Sequence, residues 1–229
     1  MTDQRLRIAA VIKGVLAEYR VHARLLMPFA LVIAALSDLK YFRGGSGLGQ
    51  PPIVGIGAGL AGGVVFGAVA IGAVGWPATG RPSLRELRPM VRRKIWTLVG
   101  AGVVSSICIA IGLLLLVVPG LYVMTRWLLY APVILLEDAK AMESFEKSNA
   151  IVRGNGWPVL GVALLLGLSL VGINLAKAAL LGAVDGGISL VDWLVAVPID
   201  TLLLPLWPLT LAVLYKQLKS LKQEQLAEE

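Results

Sequence analysis

The feature that most constrains this chain is a series of six apolar stretches separated by polar segments. Their approximate bounds are 25–42, 52–76, 95–118, 120–136, 157–176 and 193–215. Each approaches the ~20 residues that an α-helix needs to cross a bilayer. Several lack the polar stripe that a surface helix of a soluble protein carries. We therefore expect an all-α, polytopic membrane protein, with six transmembrane helices in a single integral membrane domain over 1–229.

The composition supports this class and excludes others. Hydrophobic residues make up 57% of the chain and charged residues only 15%, whereas soluble domains carry about 25% charged residues. The only cysteine, Cys108, and the only histidine, His22, exclude an intramolecular disulfide and a Cys/His zinc site. We expect no metal, no cofactor and no catalytic residue. The charged, amphipathic start of the chain also predicts no cleaved signal peptide.

The basic residues are distributed unevenly between the two sides of the six predicted spans. Seventeen of the 21 Lys and Arg residues fall before the first span, in the second and fourth connections, or in the tail. The other side has Lys40, Arg43 and Lys177, and Arg126 lies inside the fourth span. This is the positive-inside pattern, and it predicts a multi-pass protein of the bacterial inner membrane with both termini cytoplasmic. Anionic lipid explains the net charge of +7, so we expect membrane lipids as partners and no nucleic acid.

Three amphipathic segments accompany the spans on the predicted cytoplasmic side. Residues 1–24 predict an interfacial helix, because apolar residues from Ile8 to Tyr19 recur at helical spacing. The pattern Ser83-x-x-Glu86 predicts a helix start, with Pro89 in the first turn of the third span. Met142, Phe145 and Val152 form a third stripe, and Gly154 ends it. These segments are either a docking surface for a partner or connectors anchored by lipid.

The second span carries glycines at every fourth position, namely Gly55, Gly59, Gly63 and Gly67. Small residues at this spacing form a glycine zipper, which lets helices approach closely. The partner of this face is left open between another span of the same chain, a second copy of the chain, and a lipid acyl chain.

Arg126 is an unusual residue for an apolar span. Counting ~1.5 Å per residue places Arg126 and Asp200 at a similar depth, roughly 10 Å from the predicted outer surface, with Asn174 close to the same layer. Intramembrane charges usually pair or mark a functional site. We therefore predict an Arg126–Asp200 pair, an anionic headgroup bound by Arg126 and Tyr122, or an arginine that extends to the surface.

The region from Val117 to Trp157 resembles a motif of the YciC-like bacterial membrane proteins. The same motif occurs in the membrane domain attached to some glycerophosphodiester phosphodiesterases. The residues that carry the resemblance are Pro119, Gly120, Tyr122, Arg126, Pro132, Glu137, Ser148, Gly154 and Trp157. The resemblance implies a six-helix inner-membrane protein. It does not imply phosphodiesterase activity, because in those proteins the catalytic residues lie in a separate soluble domain.

Two functions follow as hypotheses. The first is a non-catalytic membrane protein that binds lipid or serves as an accessory or scaffold subunit of an envelope assembly, with a membrane-protein partner or a homo-oligomer left open. The second is a small transporter or transporter subunit, suggested by the intramembrane charges and by prolines 198, 205 and 208 in the sixth span. An enzyme is not expected, because no nucleophile with a base, no paired acids and no metal ligands are evident.

Overall fold

A computed structural model describes residues 6, 8–37, 52–76, 82–183 and 190–227 of the chain. All nine regular elements in these ranges are α-helices. Their bounds are α1 Ile8–Ser37, α2 Pro52–Gly75, α3 Leu84–Leu115, α4 Val117–Trp127, α5 Tyr130–Leu136, α6 Ala141–Val152, α7 Gly156–Ala183, α8 Leu190–Leu203 and α9 Leu206–Ala227.

Five helical segments in the described residues are long and apolar enough to cross a membrane. They are Ile8–Ser37, Arg85–Leu115, Val117–Leu136, Gly156–Leu180 and Trp193–Gln225. The predicted second span corresponds to α2, whose described apolar segment, Gly62–Gly75, is shorter. The all-α class is therefore confirmed for the described residues, and five of the six predicted spans have matching segments.

In two places, a predicted amphipathic segment and the span that follows it form one continuous helix. The predicted interfacial helix over 1–24 and the first span form one helix, α1, which buries a stripe from Val11 through His22 to Ala34. The predicted end of that span, beyond Ser37, lies outside the described residues. The basic segment after the second span and the third span likewise form α3, so Pro89 lies inside this helix instead of in its first turn. At ~1.5 Å per residue, both helices exceed the ~30 Å hydrocarbon core, so part of each extends beyond it.

The hairpin between α3 and α4 turns at Leu116, and not at Pro119-Gly120 as predicted. Leu116 is the only non-helical residue between the two helices. Pro119 fits in the first turn of α4 because a backbone N–H has no helical partner there. A Cβ atom added at Gly120 would lie 2.6 Å from the Leu113 nitrogen, and one at Gly112 would lie 2.9 Å from the Gly120 Cα. The motif glycine therefore allows the two backbones to touch.

The fourth predicted span is interrupted between α4 and α5. Pro132 lacks the N–H that would bond to the Leu128 carbonyl, so the helix cannot continue regularly. The fully buried Ser148 of α6 repairs this break. Its hydroxyl donates to the Arg126 carbonyl at 2.7 Å and accepts from the Leu129 N–H at 3.1 Å. This is how broken membrane helices keep their backbone groups bonded.

The sixth predicted span is interrupted between α8 and α9, at Leu204 and Pro205. Pro205 cannot donate a backbone hydrogen bond, which weakens the helix just before it. The Tyr19 hydroxyl of α1 donates to the nearby Leu202 carbonyl at 3.2 Å. Both interruptions are therefore stabilised by a hydroxyl from a neighbouring helix.

The buried core lies toward one end of the bundle. It is formed by the second half of α2, the first half of α3, α5, one face of α6 and the middle of α9, with Phe66, Leu87, Leu129 and Leu209 almost fully buried. Toward the other end, the side chains of α3 and α7 are largely exposed, for example Leu114 at 88% and Leu168 at 67%. Such apolar exposed faces suit contact with lipid.

The glycine face of α2 does not form the predicted close contact at Gly63. A Cβ atom added there would meet nothing within 4 Å, and one at Gly67 would reach only ordinary contact, 3.9 Å from Pro208. The surroundings of Gly55 and Gly59 lie outside the described part of the chain. Close approaches occur further along α2, where a Cβ atom added at Gly72 would lie 2.5 Å from the Met90 side chain and one added at Gly75 would overlap the Leu136 side chain.

Candidate functional site

The segments predicted to be cytoplasmic come together at one end of the bundle. We call this the basic end, and it comprises the start of α1, residues 82–94, residues 137–155 and residues 215–225. Lys222 donates to the Ala150 carbonyl at 3.0 Å, Gln217 donates to the Ala10 carbonyl at 3.2 Å, and the Leu6 N–H donates to Asn155 at 3.2 Å. The grouping of these segments thus has a structural basis in direct contacts.

Glu137, at the end of α5, is the centre of a polar network at the basic end. Its Oε1 atom accepts hydrogen bonds from the Tyr215 hydroxyl at 2.6 Å and from the Lys219 ammonium at 2.7 Å. Lys219 also donates to the Tyr215 oxygen at 2.9 Å. The Lys147 ammonium lies 3.5 Å from the second carboxylate oxygen. The network joins α5, α6 and α9.

The network also fixes the protonation state of Glu137, whose side chain is 19% exposed. Burial by itself would raise the pKa of this carboxyl, but hydrogen bonds from Lys219 and Tyr215 and the nearby lysine charges hold it below its usual value. A carboxylate whose ionised form is stabilised in this way is a weak proton acceptor. The chemistry of this site is therefore that of a clasp between helices.

Asp138, the next residue, forms one wall of a cleft of about 260 Å³. The cleft is lined by both apolar and charged residues, namely Pro89, Met90, Arg93, Lys94, Leu135 and Asp138. Asp138 has a positive φ of 56°, a conformation that Asp tolerates better than most residues. Hydrogen bonding to Lys94 and the charge of Arg93 lower the pKa of this carboxyl.

The two cations of the cleft differ in accessibility. The Lys94 side chain is 13% exposed and closely paired with Asp138. The Arg93 side chain is 75% exposed, and its guanidinium lies 3.4 Å from the same carboxylate. Because Lys94 already neutralises Asp138, the Arg93 guanidinium can take an external anion. A planar guanidinium is well suited to a phosphate.

Two exposed tryptophans lie next to the basic end. Trp96 follows Arg93 by three residues and is 81% exposed, and Trp157 follows the basic end directly and is 85% exposed. Tryptophan is enriched where membrane hydrocarbon meets the headgroups. Their positions suit a bilayer boundary immediately beside the cleft.

The predicted Arg126–Asp200 pair is wrong. Asp200 of α8 instead pairs with Lys177 of α7, whose ammonium lies 2.5 Å from the carboxylate and whose side chain is only 6% exposed. The sequence placed Lys177 in an outer loop, but the lysine lies inside α7 and its side chain reaches the neighbouring helix. Asn174 does not join this layer, since it is exposed and donates to the Leu170 carbonyl of its own helix at 2.9 Å.

Arg126 is half-buried, and among the described residues its side chain has one polar or ring contact, with Tyr122 of its own helix. The guanidinium carbon lies 5.0 Å from the centre of the Tyr122 ring, within the range of a cation–π interaction. Within the described part of the chain, no carboxylate forms an ion pair with Arg126. Tyr122 is 59% exposed, so the pair faces outward from the bundle.

The sequence identified some of these residues and missed others. Glu137, Ser148 and Gly120 were identified through the resemblance, and the structure gives each a local role. Gly154 ends α6 with a φ of 94°, as predicted, but Met142 of the predicted stripe is 70% exposed. Tyr215 and Lys219 were missed as partners of Glu137, although their spacing of four at a span end was a signal. His22 also has an unforeseen partner, since its Nδ1 atom bonds the Glu18 carbonyl at 3.1 Å.

Comparison with known proteins gives a family but no activity. No curated protein and no solved structure matches the chain significantly. One family model, described as a domain of unknown function (DUF7847), matches residues 43–214. The match covers more than half of the 229 residues and includes Glu137 and the cleft, while Tyr215 and Lys219 follow it. The chain therefore belongs to the DUF7847 family.

Proposed function

We propose that the protein is a non-catalytic protein of the bacterial inner membrane that binds anionic phospholipid at its basic end. The cleft beside Arg93 carries this proposal. It combines an exposed guanidinium, which complements the phosphate of a phospholipid, with apolar lining residues, which suit the first acyl carbons. Lipid binding would serve as a function in itself or hold the protein in an envelope assembly as an accessory subunit.

The surroundings of the cleft support this proposal. Arg85, Arg88 and Arg92 are exposed on the same first turns of α3, and each basic residue near an anionic membrane surface contributes ~1 kcal/mol of attraction. The exposed Trp96 supports a membrane boundary next to the cleft. In the proposed orientation, the cytoplasmic leaflet supplies the anionic lipid.

The state of Glu137 favours a non-catalytic role. A general base needs a free lone pair and a pKa near the working pH. Glu137 accepts two strong hydrogen bonds and has a lowered pKa. Its network is better suited to holding α5 against α9.

Thermal unfolding in detergent tests the proposal. Dioctanoyl phosphatidylglycerol should raise the Tm of the wild-type protein more than dioctanoyl phosphatidylcholine does, because a ligand that binds the native state stabilises it. Arg93→Ala should remove most of the difference. Arg92→Ala is the matched control, since Arg92 is exposed on the neighbouring position outside the cleft. Equal shifts in wild type and Arg93→Ala would contradict the proposal, and an equal effect of inorganic phosphate would indicate a free-anion site.

A second function, a small transporter or transporter subunit, is favoured by one observation. The Lys177–Asp200 pair joins two helices at membrane depth, and α8 is part of an interrupted span. Such features occur in transport pathways. Ion flux in proteoliposomes that Asp200→Asn abolishes would support this function, and the absence of flux in the wild-type protein would remove it.

A further inference from the structure

We propose that Arg126 and Tyr122 form a second lipid site, which binds the phosphate of a phospholipid from the leaflet opposite the basic end. This site is separate from the Arg93 cleft. The two proposals share only the orientation of the protein in the membrane. It would draw a headgroup inward along the exposed edge of α4.

Two polar groups on one turn of α4 lack hydrogen-bond and ion-pair partners among the described residues. Of the residues that the structure describes, none forms a hydrogen bond or ion pair with the Arg126 guanidinium or the Tyr122 hydroxyl. The guanidinium has only the face of the Tyr122 ring. At membrane depth an unpaired charge is costly, so an anionic partner from outside the chain would be stabilising.

The depth of the site follows from its distance to the turn of the α3–α4 hairpin. Gly112 lies against Gly120 and Lys94 lies against Asp138, so α3 runs antiparallel to α4 and α5 along their length. Tyr122 is six residues from the turn at Leu116 and Arg126 is ten, which at 1.5 Å per residue is roughly 9 and 15 Å. The backbone of Arg126 therefore lies near the middle of the hydrocarbon core.

The Arg126 side chain points along α4 toward the hairpin turn. Helical side chains lean toward the N-terminus of their helix, which for α4 is the hairpin turn. The position of the guanidinium over Tyr122 agrees with this direction, because Tyr122 precedes Arg126 by one turn. Both donors are thus brought to roughly 9 Å from the turn, facing the far leaflet.

The site has a fixed backbone and an apolar entrance. Ser148 holds the Arg126 carbonyl at 2.7 Å, which fixes the end of α4. Between the site and the turn, Leu116, Val117 and Val118 are 62–74% exposed and suit acyl chains. A guanidinium and a hydroxyl beside such a surface match a lipid phosphate that remains attached to its chains.

Native mass spectrometry of the protein in mild detergent with palmitoyl-oleoyl phosphatidylglycerol tests this site. The wild-type protein should retain two lipid molecules, one in the Arg93 cleft and one at Arg126. Arg126→Ala should weaken retention of one molecule by about tenfold or more, and Arg126→Lys should restore part of it. Tyr122→Phe removes one hydroxyl and keeps the ring, so it provides a mild variant if Arg126→Ala does not fold.

The controls separate the alternatives. Leu168→Ala changes an exposed apolar residue of α7, outside both proposed sites, and should retain both molecules. Loss of one lipid in Arg93→Ala but none in Arg126→Ala would overturn this site and leave the proposed function intact. A dimer in the wild-type protein that dissociates in Arg126→Ala, with lipid retention unchanged, would show that the partner of Arg126 is a second copy of the chain and would also overturn it.

Discussion

At the scale of single residues, the polar groups of this chain fall into two kinds. Glu137, Ser148 and Lys177 are satisfied by partners on neighbouring helices and therefore hold the bundle together. Arg93 is exposed and Arg126 is half-buried beside the exposed Tyr122, and both can bind a ligand. This division is the basis for assigning structural roles to the first group and lipid contacts to the second.

The Glu137 network predicts a stability that depends on pH. Glu137→Gln should destabilise the protein at neutral pH by on the order of 2 kcal/mol, because hydrogen bonds to a charged group are lost. The pKa of Glu137 is lower in the folded protein than its ordinary value of 4.5. The ionised form therefore stabilises the fold above that value, and this contribution is lost as the pH falls through the folded pKa.

Chemical denaturation followed by tryptophan fluorescence at several pH values would measure this effect. The difference between the wild-type protein and Glu137→Gln should shrink as the pH falls below about 4.5. Glu146→Gln is the control, since Glu146 is exposed on α6 and should have little effect. A difference that stays constant down to acid pH would contradict the role of the ionised carboxylate.

At the scale of helices, the break between α4 and α5 depends on one hydroxyl. Ser148→Ala should destabilise the protein by about 1–3 kcal/mol, because the Arg126 carbonyl and the Leu129 N–H lose their partner while buried. Ser144→Ala makes the same change on the same helix, where the buried hydroxyl bonds only the Ala141 carbonyl of α6. Similar losses of unfolding free energy in both variants would show that the break does not depend on Ser148.

The α3–α4 hairpin predicts a contrast between two glycines. Gly120→Ala should lower stability by about 1–3 kcal/mol, because the added Cβ atom would meet backbone and force the helices apart. Gly63→Ala should be neutral or slightly stabilising, since its surroundings are open and Ala favours helix. Thermal unfolding in one detergent would compare the two, and the opposite ranking would contradict the hairpin geometry.

At the scale of the whole molecule, the sequence predicted helix class, approximate spans and the grouping of basic segments, because hydrophobic run length and Lys/Arg distribution carry that information. It did not predict that α1 and α3 continue through their polar starts. It also paired Asp200 with the wrong cation, because counting residues gives depth along a helix but not which helices are neighbours. The Glu137 network was missed for the same reason, since Tyr215 and Lys219 are distant in sequence.

In the proposed orientation, the basic end of the protein faces the cytoplasm and the α3–α4 turn faces outward. Cysteine labelling with a membrane-impermeant maleimide, in a Cys108→Ser background, tests it most directly. Cysteines at Ser46 and Asp185, which the sequence places outside, should label in intact cells. A cysteine at Ser83, exposed at the start of α3, should label only after the membrane is permeabilised. Labelling of Ser83→Cys in intact cells would contradict the orientation and both lipid assignments that depend on it.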